Sequence, residues 1–143
     1  MKIYILNGPN LNLLGAREPE VYGTETLEDI IKYTEQSLED DSGLQLEWFQ
    51  SNIEGELVEK IHEALNKKID AIIINPAAYS HTSVAIHDAL KCLKCPVVEV
   101  HLSNTANRDS FRQTMLTAKA STIIMEGLGR DAYLMAIKAL TLK

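Results

Sequence analysis

Polar side chains able to do chemistry gather just after the first apolar run of this chain. Asn7 and Asn10 lie in Asn7-Gly8-Pro9-Asn10, and Arg17 and Tyr22 follow within Ala16 to Gly23. Later, Asn75 closes an apolar run at 71–74, and Glu99 and His101 interrupt Val97 to His101. Such a set suits proton transfer on a small polyhydroxylated acid. The asparagines are neutral hydrogen-bonding groups, Arg17 and Arg112 are cations, His101 is a potential acid and Tyr22 a potential base. A free phenol ionises near pH 10, so a base working near neutrality needs about 4 kcal/mol of phenolate stabilisation. A close opposite charge supplies about 1 to 3 pKa units. Arg17, five residues before Tyr22, is the natural source, and closure of the loop would strengthen it by excluding water.

Groups of this kind have to hang from a rigid frame. Residues 2 to 6 form an apolar, β-branched and aromatic run suited to a buried strand. A Gly free to take positive φ and a donor-less Pro then end it. Leu11 to Gly15 are a small apolar block, and Ala16 to Gly23 show no regular period. Thr24 or Thr26 can cap a helix carrying Leu27, Ile30, Ile31, Thr34 and Leu38 on one face, ended by Gly43. Leu44 to Gln50 reads as a second strand and 54–66 as a second helix. Asp70 to Ile74 is a third strand, apolar after Asp70 as expected of one covered on both faces. A helix from about His81 to Lys94 leads to strand Val97 to His101. A polar loop, a short helix over Arg108 to Leu116, a strand over Ser121 to Met125 and a helix over Arg130 to Leu142 complete the chain.

Strand and helix alternate without repeats or low-complexity segments, which predicts a three-layer α/β fold with a parallel sheet and right-handed crossovers. Five strands favour the flavodoxin-like order 2-1-3-4-5. In such sheets ligands bind beyond the carboxyl ends of the strands, where the order reverses, here between strands 1 and 3. The polar interruptions fall at that end. Glu99 and His101, two apart on a strand, project to the same side, so the carboxylate can hold one imidazole nitrogen and set the tautomer at the other.

With 143 residues, 45% of them hydrophobic, the chain suits a single domain, 1–143. A net charge of -6 without any Lys/Arg run argues against nucleic acid as a partner. No stretch approaches the roughly 20 apolar residues of a membrane span, and no leader precedes the first strand, so a cytoplasmic location is expected. Neither G-x-x-x-x-G-K-[ST] nor G-x-G-x-x-G follows strand 1, which disfavours a nucleotide cofactor. Cys92 and Cys95 form a C-x-x-C that closes a helix instead of opening one, unlike a thioredoxin site. They read as reduced thiols in packing positions.

The strings NGPNLNLLGAREPEVYG, INPAAYSHTSVAIHDAL and VVEVHLSN, with Arg108 and Phe111-Arg112 after them, resemble type II 3-dehydroquinate dehydratases over nearly the whole chain. The resemblance implies a flavodoxin-like subunit assembled as a dodecamer of trimers. It implies no metal and no organic cofactor. The reaction it implies is an anti elimination of water from the small molecule 3-dehydroquinate through an enolate. Carried over by motif position, Tyr22 would remove the proton at C2, with Arg17 lowering its pKa on a closing lid. Asn10 would hold a water that stabilises the enolate, and His101, oriented by Glu99, would protonate the hydroxyl leaving C1. Asn75, Ser103 and the backbone N–H of Leu102 would bind the carboxylate, while His81 and Arg112 hold ring hydroxyls. Asp88 would reach a neighbouring subunit's site, sharing one helix face with His81, seven residues earlier.

The chain departs from the family pattern at Ala106, where a His is common, at Asn107, at His87, at Ala77, and over Gln113 to Leu116. None of these removes a proposed catalytic group. Plainer readings stand beside the functional ones. His62 and His87 are solvated helix residues, Asn7 a turn former, His81 a helix cap, and Arg17 with Glu18 and Glu20 a surface charge cluster. Other classes share this fold. A flavin carrier needs a phosphate loop after strand 1, and a phospho-acceptor receiver needs an Asp at the end of strand 3, where Asn75 stands. An inactive relative would serve only as a scaffold, and the retained Tyr22, Arg17 and His101 weigh against it.

Overall fold

Lys2–Asn7 form β1, buried from Ile3 onward, because both of its faces are covered. Ile3 and Ile5 point to one apolar layer and Tyr4 and Leu6 to the other, as the two-residue period of a strand requires. The computed structural model describes residues 1–16 and 18–142, and of Tyr22 only the backbone. With β2 (Gln45–Gln50), β3 (Ala71–Asn75), β4 (Val97–His101) and β5 (Ile123–Glu126), β1 builds an all-parallel sheet in the order 2-1-3-4-5. The order expected from the sequence is the order observed.

Among the described residues five α-helices accompany these strands: α1 (Pro19–Tyr22), α2 (Leu27–Gln36), α3 (Glu54–Asn66), α4 (Val84–Lys91) and, after β5, α5 (Asp131–Thr141). α2 and α5 cover one face through Ile30, Tyr133, Ala136 and Ile137, and α3 and α4 the other through Leu57, Ile61, Ile86 and Leu90. Each fully buried aliphatic side chain contributes about 1.5 to 3 kcal/mol, so these stripes hold the helices on the sheet. Thr26 caps α2: its hydroxyl accepts from Asp29 N at 3.1 Å, while the Asp29 carboxylate accepts from Thr26 N at 3.0 Å. No helix among the described residues is long and apolar enough to cross a membrane.

Several boundaries differ from the sequence reading. The helix expected from about His81 begins at Val84, after a 3-10 turn over Ala77–His81, because Ser83 is extended (φ -94°, ψ 100°) and its hydroxyl accepts from Ile86 N at 2.9 Å. It ends at Lys91, not Lys94. Arg108 to Leu116 is no helix. Short 3-10 turns over Thr105–Asn107 and Ser110–Arg112 flank an extended Arg108, and a further turn, Thr117–Ala120, delays β5 to Ile123. Finally, Pro19–Tyr22 make one helical turn that Pro19 starts and Gly23 N closes on Pro19 O at 2.8 Å. One turn is too short to display a period.

Close approach of backbones sets the end of β1. Gly8 N donates to Asn75 O at 2.8 Å, and a Cβ on Gly8 would fall 2.4 Å from Pro76 O. The obstacle is backbone and cannot swing aside. Gly8→Ala is therefore expected to lower stability by about 1 to 3 kcal/mol, the usual cost of overpacking. Urea denaturation measures it, and an unchanged midpoint would show that the strand ends separate freely.

Candidate active site

Beyond the carboxyl ends of β1, β3 and β4 lies a cleft, at the reversal of strand order where the fold predicts a ligand. Asn10 reaches it from a left-handed backbone position (φ 67°), which asparagine tolerates better than most residues, with its N–H donated to Asn52 Oδ1 at 2.9 Å. Asn75 lines the same cleft from the end of β3. From β4 and the loop after it come His101, Leu102 and Ser103, and from the following turn Arg112.

His101 and Glu99 are joined as their spacing predicts, with Nε2 of the imidazole 2.8 Å from Oε1 of the carboxylate. Glu99 is fully buried and His101 nearly so. The carboxylate oxygen can only accept, so Nε2 carries a proton and Nδ1 is the nitrogen left for chemistry. Ser80 donates to the same Oε1 at 2.8 Å, and Ser121 lies 3.4 Å from Oε2. A buried charge needs such partners.

His81 stacks 6.5 Å from His101, centroid to centroid. Its Nδ1 lies 2.8 Å from Thr114 O. A carbonyl only accepts, so Nδ1 is protonated and Nε2 of the neutral ring is an acceptor suited to a hydroxyl. Burial pushes the His81 pKa down against the opposing pull of that carbonyl, so the ring is neutral at pH 7. Below its lowered pKa, Nε2 gains a proton and the acceptor is lost. KM for a hydroxylated ligand is accordingly expected to rise on acidification below the ordinary histidine value of 6.5, and an NMR titration should place the His81 pKa under that value. A value above 6.5 would contradict the assignment.

Arg112 stands 3.4 Å from Asp109 and is mostly buried. Arg108 donates to Ser103 Oγ at 3.2 Å and lies 3.9 Å from the Glu18 carboxylate, leaving the Ser103 hydroxyl hydrogen to donate elsewhere. Asp88 does not line the cleft. Its side chain is 71% exposed and accepts from His87 Nδ1 at 2.9 Å. Nor do His81 and Asp88 share a helix, because the extended Ser83 separates the turn of one from the helix of the other. Arg17 and the Tyr22 side chain lie outside the described residues.

Four supporting groups escape the sequence reading: Ser80 and Ser121 on Glu99, Arg108 on the cleft wall, and Tyr133 beneath it. Arg108 sits in a recognisable motif but suggests no role there. Nothing in the sequence links the other three to their partners across 19 to 58 positions. Asn7 is more than a turn former, being fully buried and bonded to Tyr133. Cys92 is exposed instead of packed, and both cysteines are free thiols. Among the described residues no three His, Cys, Asp or Glu side chains converge as metal ligands.

Fold and site together define a class: a flavodoxin-like α/β protein whose crevice offers a carboxylate-held imidazole beside asparagines and arginines, equipment for acid–base work on an anionic, hydroxylated ligand. The class II dehydroquinase family model matches residues 1–141, and the chain belongs to that family. It is 51% identical over 140 residues to the 3-dehydroquinate dehydratase of Clostridium perfringens (strain SM101 / Type A), covering 98% of this chain and 95% of the relative. The 3-dehydroquinate dehydratase of Caldicellulosiruptor bescii is 48% identical over 139 residues, covering 97% and 95%. The crystal structure of the type II dehydroquinase from Butyrivibrio crossotus DSM 2876 superposes with a TM-score of 0.95 at 40% identity, over 99% of this chain and 98% of the other.

Proposed function

We propose that this chain, acting as one catalytic domain, dehydrates 3-dehydroquinate reversibly to 3-dehydroshikimate by anti elimination, as a lyase of the shikimate pathway. Arg17 holds the Tyr22 phenol near its ionised form, and the phenolate takes the proton at C2. Charge then moves onto the carbonyl oxygen as an enolate, which a water held by Asn10 stabilises. Collapse of the enolate expels the C1 hydroxyl, which leaves as water with a proton from His101. Glu99 keeps the imidazole turned and balances its positive charge. Asn75, Ser103 and the Leu102 backbone N–H bind the substrate carboxylate, and His81 and Arg112 hold its ring hydroxyls.

The observation that carries this reading is the buried Glu99–His101 pair at 2.8 Å, opening on the cleft that Asn10, Asn75 and Ser103 also line. No lysine is among the described residues lining that cleft, which speaks against a Schiff-base route. Purified protein should convert 3-dehydroquinate to a conjugated enone, followed by its ultraviolet absorbance, and should keep its activity after borohydride treatment in the presence of substrate. Absence of turnover would refute the function, and inactivation by borohydride would refute the route.

The exposed Asp88, on α4 and away from its own cleft, supports a role in a neighbouring subunit's site within a dodecamer of trimers. Light scattering should give the mass of twelve chains, and a stable monomer with full activity would refute this role. The expected cytoplasmic location goes with the same reading and is tested by cell fractionation.

A further inference from the structure

Asn7 and Asn75 end adjacent strands at the same register. Both fall on the strand face that packs against α5, the side of Ile3, Ile5 and Ile73. Tyr133 enters from α5, fully buried, and its hydroxyl sits between the two amides, 2.5 Å from Asn7 Oδ1 and 3.1 Å from Asn75 Nδ2.

Every direction in this chain of bonds is determined. The Phe49 carbonyl only accepts, so Asn7 turns Nδ2 toward it, at 3.3 Å, and Oδ1 toward Tyr133. That Oδ1 also only accepts, which commits the one phenolic proton to it. The Tyr133 oxygen can then only accept from Asn75, and Nδ2 of Asn75 faces it. At the other end of the same amide, Oδ1 accepts the Ala77 N–H at 3.2 Å, a group that can only donate. A flipped Asn75 would set donor against donor at Ala77 and lose its partner at Tyr133. Burial holds the Tyr133 phenol well above its ordinary pKa, so its proton stays in place over the working range.

We propose that Tyr133 is a positioning residue that locks the Asn75 amide with its remaining N–H available to the cleft, making this subsite select a carboxylate over a neutral group. The inference rests on the reading of Asn75 as a carboxylate-binding residue. An unlocked amide samples the orientation that turns Oδ1 toward the ligand, where acceptor meets acceptor.

The test is Tyr133→Phe, which removes only the hydroxyl. KM for 3-dehydroquinate should rise about fivefold to tenfold, the worth of about one hydrogen bond, while kcat changes less than about twofold. A loss of packing alone would not alter ligand discrimination, so inhibition by a saturated ring carboxylate analogue is compared with that of its carboxamide. The wild type should prefer the carboxylate, and the variant should lose about fivefold of that preference. In an Asn75→Ala background Tyr133→Phe should add nothing. Should Tyr133→Phe not fold, Asn7→Leu frees the hydroxyl from its fixed acceptor and should raise KM in the same way. Unchanged KM and preference in a folded variant, or full additivity with Asn75→Ala, would overturn the positioning role alone. An Asn75→Ala variant with wild-type KM would overturn the carboxylate subsite as well, and an inactive wild type would overturn both together with the proposed function.

Discussion

Tyr22→Phe should lower kcat by about 10³- to 10⁴-fold, toward the upper end of what a positioned general base contributes, with KM within about threefold of wild type. The phenolate oxygen is the only group assigned to take the C2 proton, and its removal leaves the binding groups of β3, β4 and the following loop in place. Arg17→Ala tests the cause of the basicity. Without the guanidinium the phenol returns toward its free value near 10, and the rising limb of the kcat profile should move to higher pH by about 1 to 3 units. Activity lost at neutrality should therefore return in alkali for Arg17→Ala and not for Tyr22→Phe. Turnover left intact by both substitutions would remove the base from the account.

His101→Ala should lower kcat by about 10²- to 10⁴-fold. Hydroxide is a poor leaving group, and His101 is the one group assigned to protonate it. The same substitution strips an imidazole from the buried Glu99 carboxylate, leaving Ser80 at 2.8 Å and Ser121 at 3.4 Å as its partners. A stability loss of about 1 to 3 kcal/mol should accompany it, so kcat is read at a temperature where denaturation shows the variant folded. Glu99→Gln keeps the side-chain volume and removes the charge that balances the imidazolium. It should reduce kcat in the same direction but by less than His101→Ala. A folded His101→Ala variant that retained wild-type kcat would show that another group carries the proton.

Much of this is legible in the sequence because β1, β3 and β5 are short apolar runs closed by a polar residue. Ile72 to Ile74 buried on both faces, Thr26 capping α2, and Glu99 with His101 two apart all follow local rules of period and capping. Those rules locate the strands and helices and bring Glu99 to His101, while the strand order follows from the alternation of the two. They fail where conformation is set by single bonds. Ser83, not His81, starts α4 because one hydroxyl caps Ile86 N at 2.9 Å. The 3-10 turns of the 105–120 segment carry no apolar period to read. Tyr133 belongs to the site only because α5 lays it over the ends of β1 and β3, 126 residues from Asn7 and 58 from Asn75. A contact of that range has no trace in spacing.

The proposed elimination is anti: one group takes hydrogen from one face of the ring while another delivers a proton to the hydroxyl on the opposite face. Substrate carrying deuterium at a single C2 position, prepared as each of the two epimers and analysed by mass spectrometry after dehydration, tests this most directly. Deuterium anti to the departing hydroxyl should pass to solvent and deuterium syn to it should remain in the product; the reverse pattern would contradict the account.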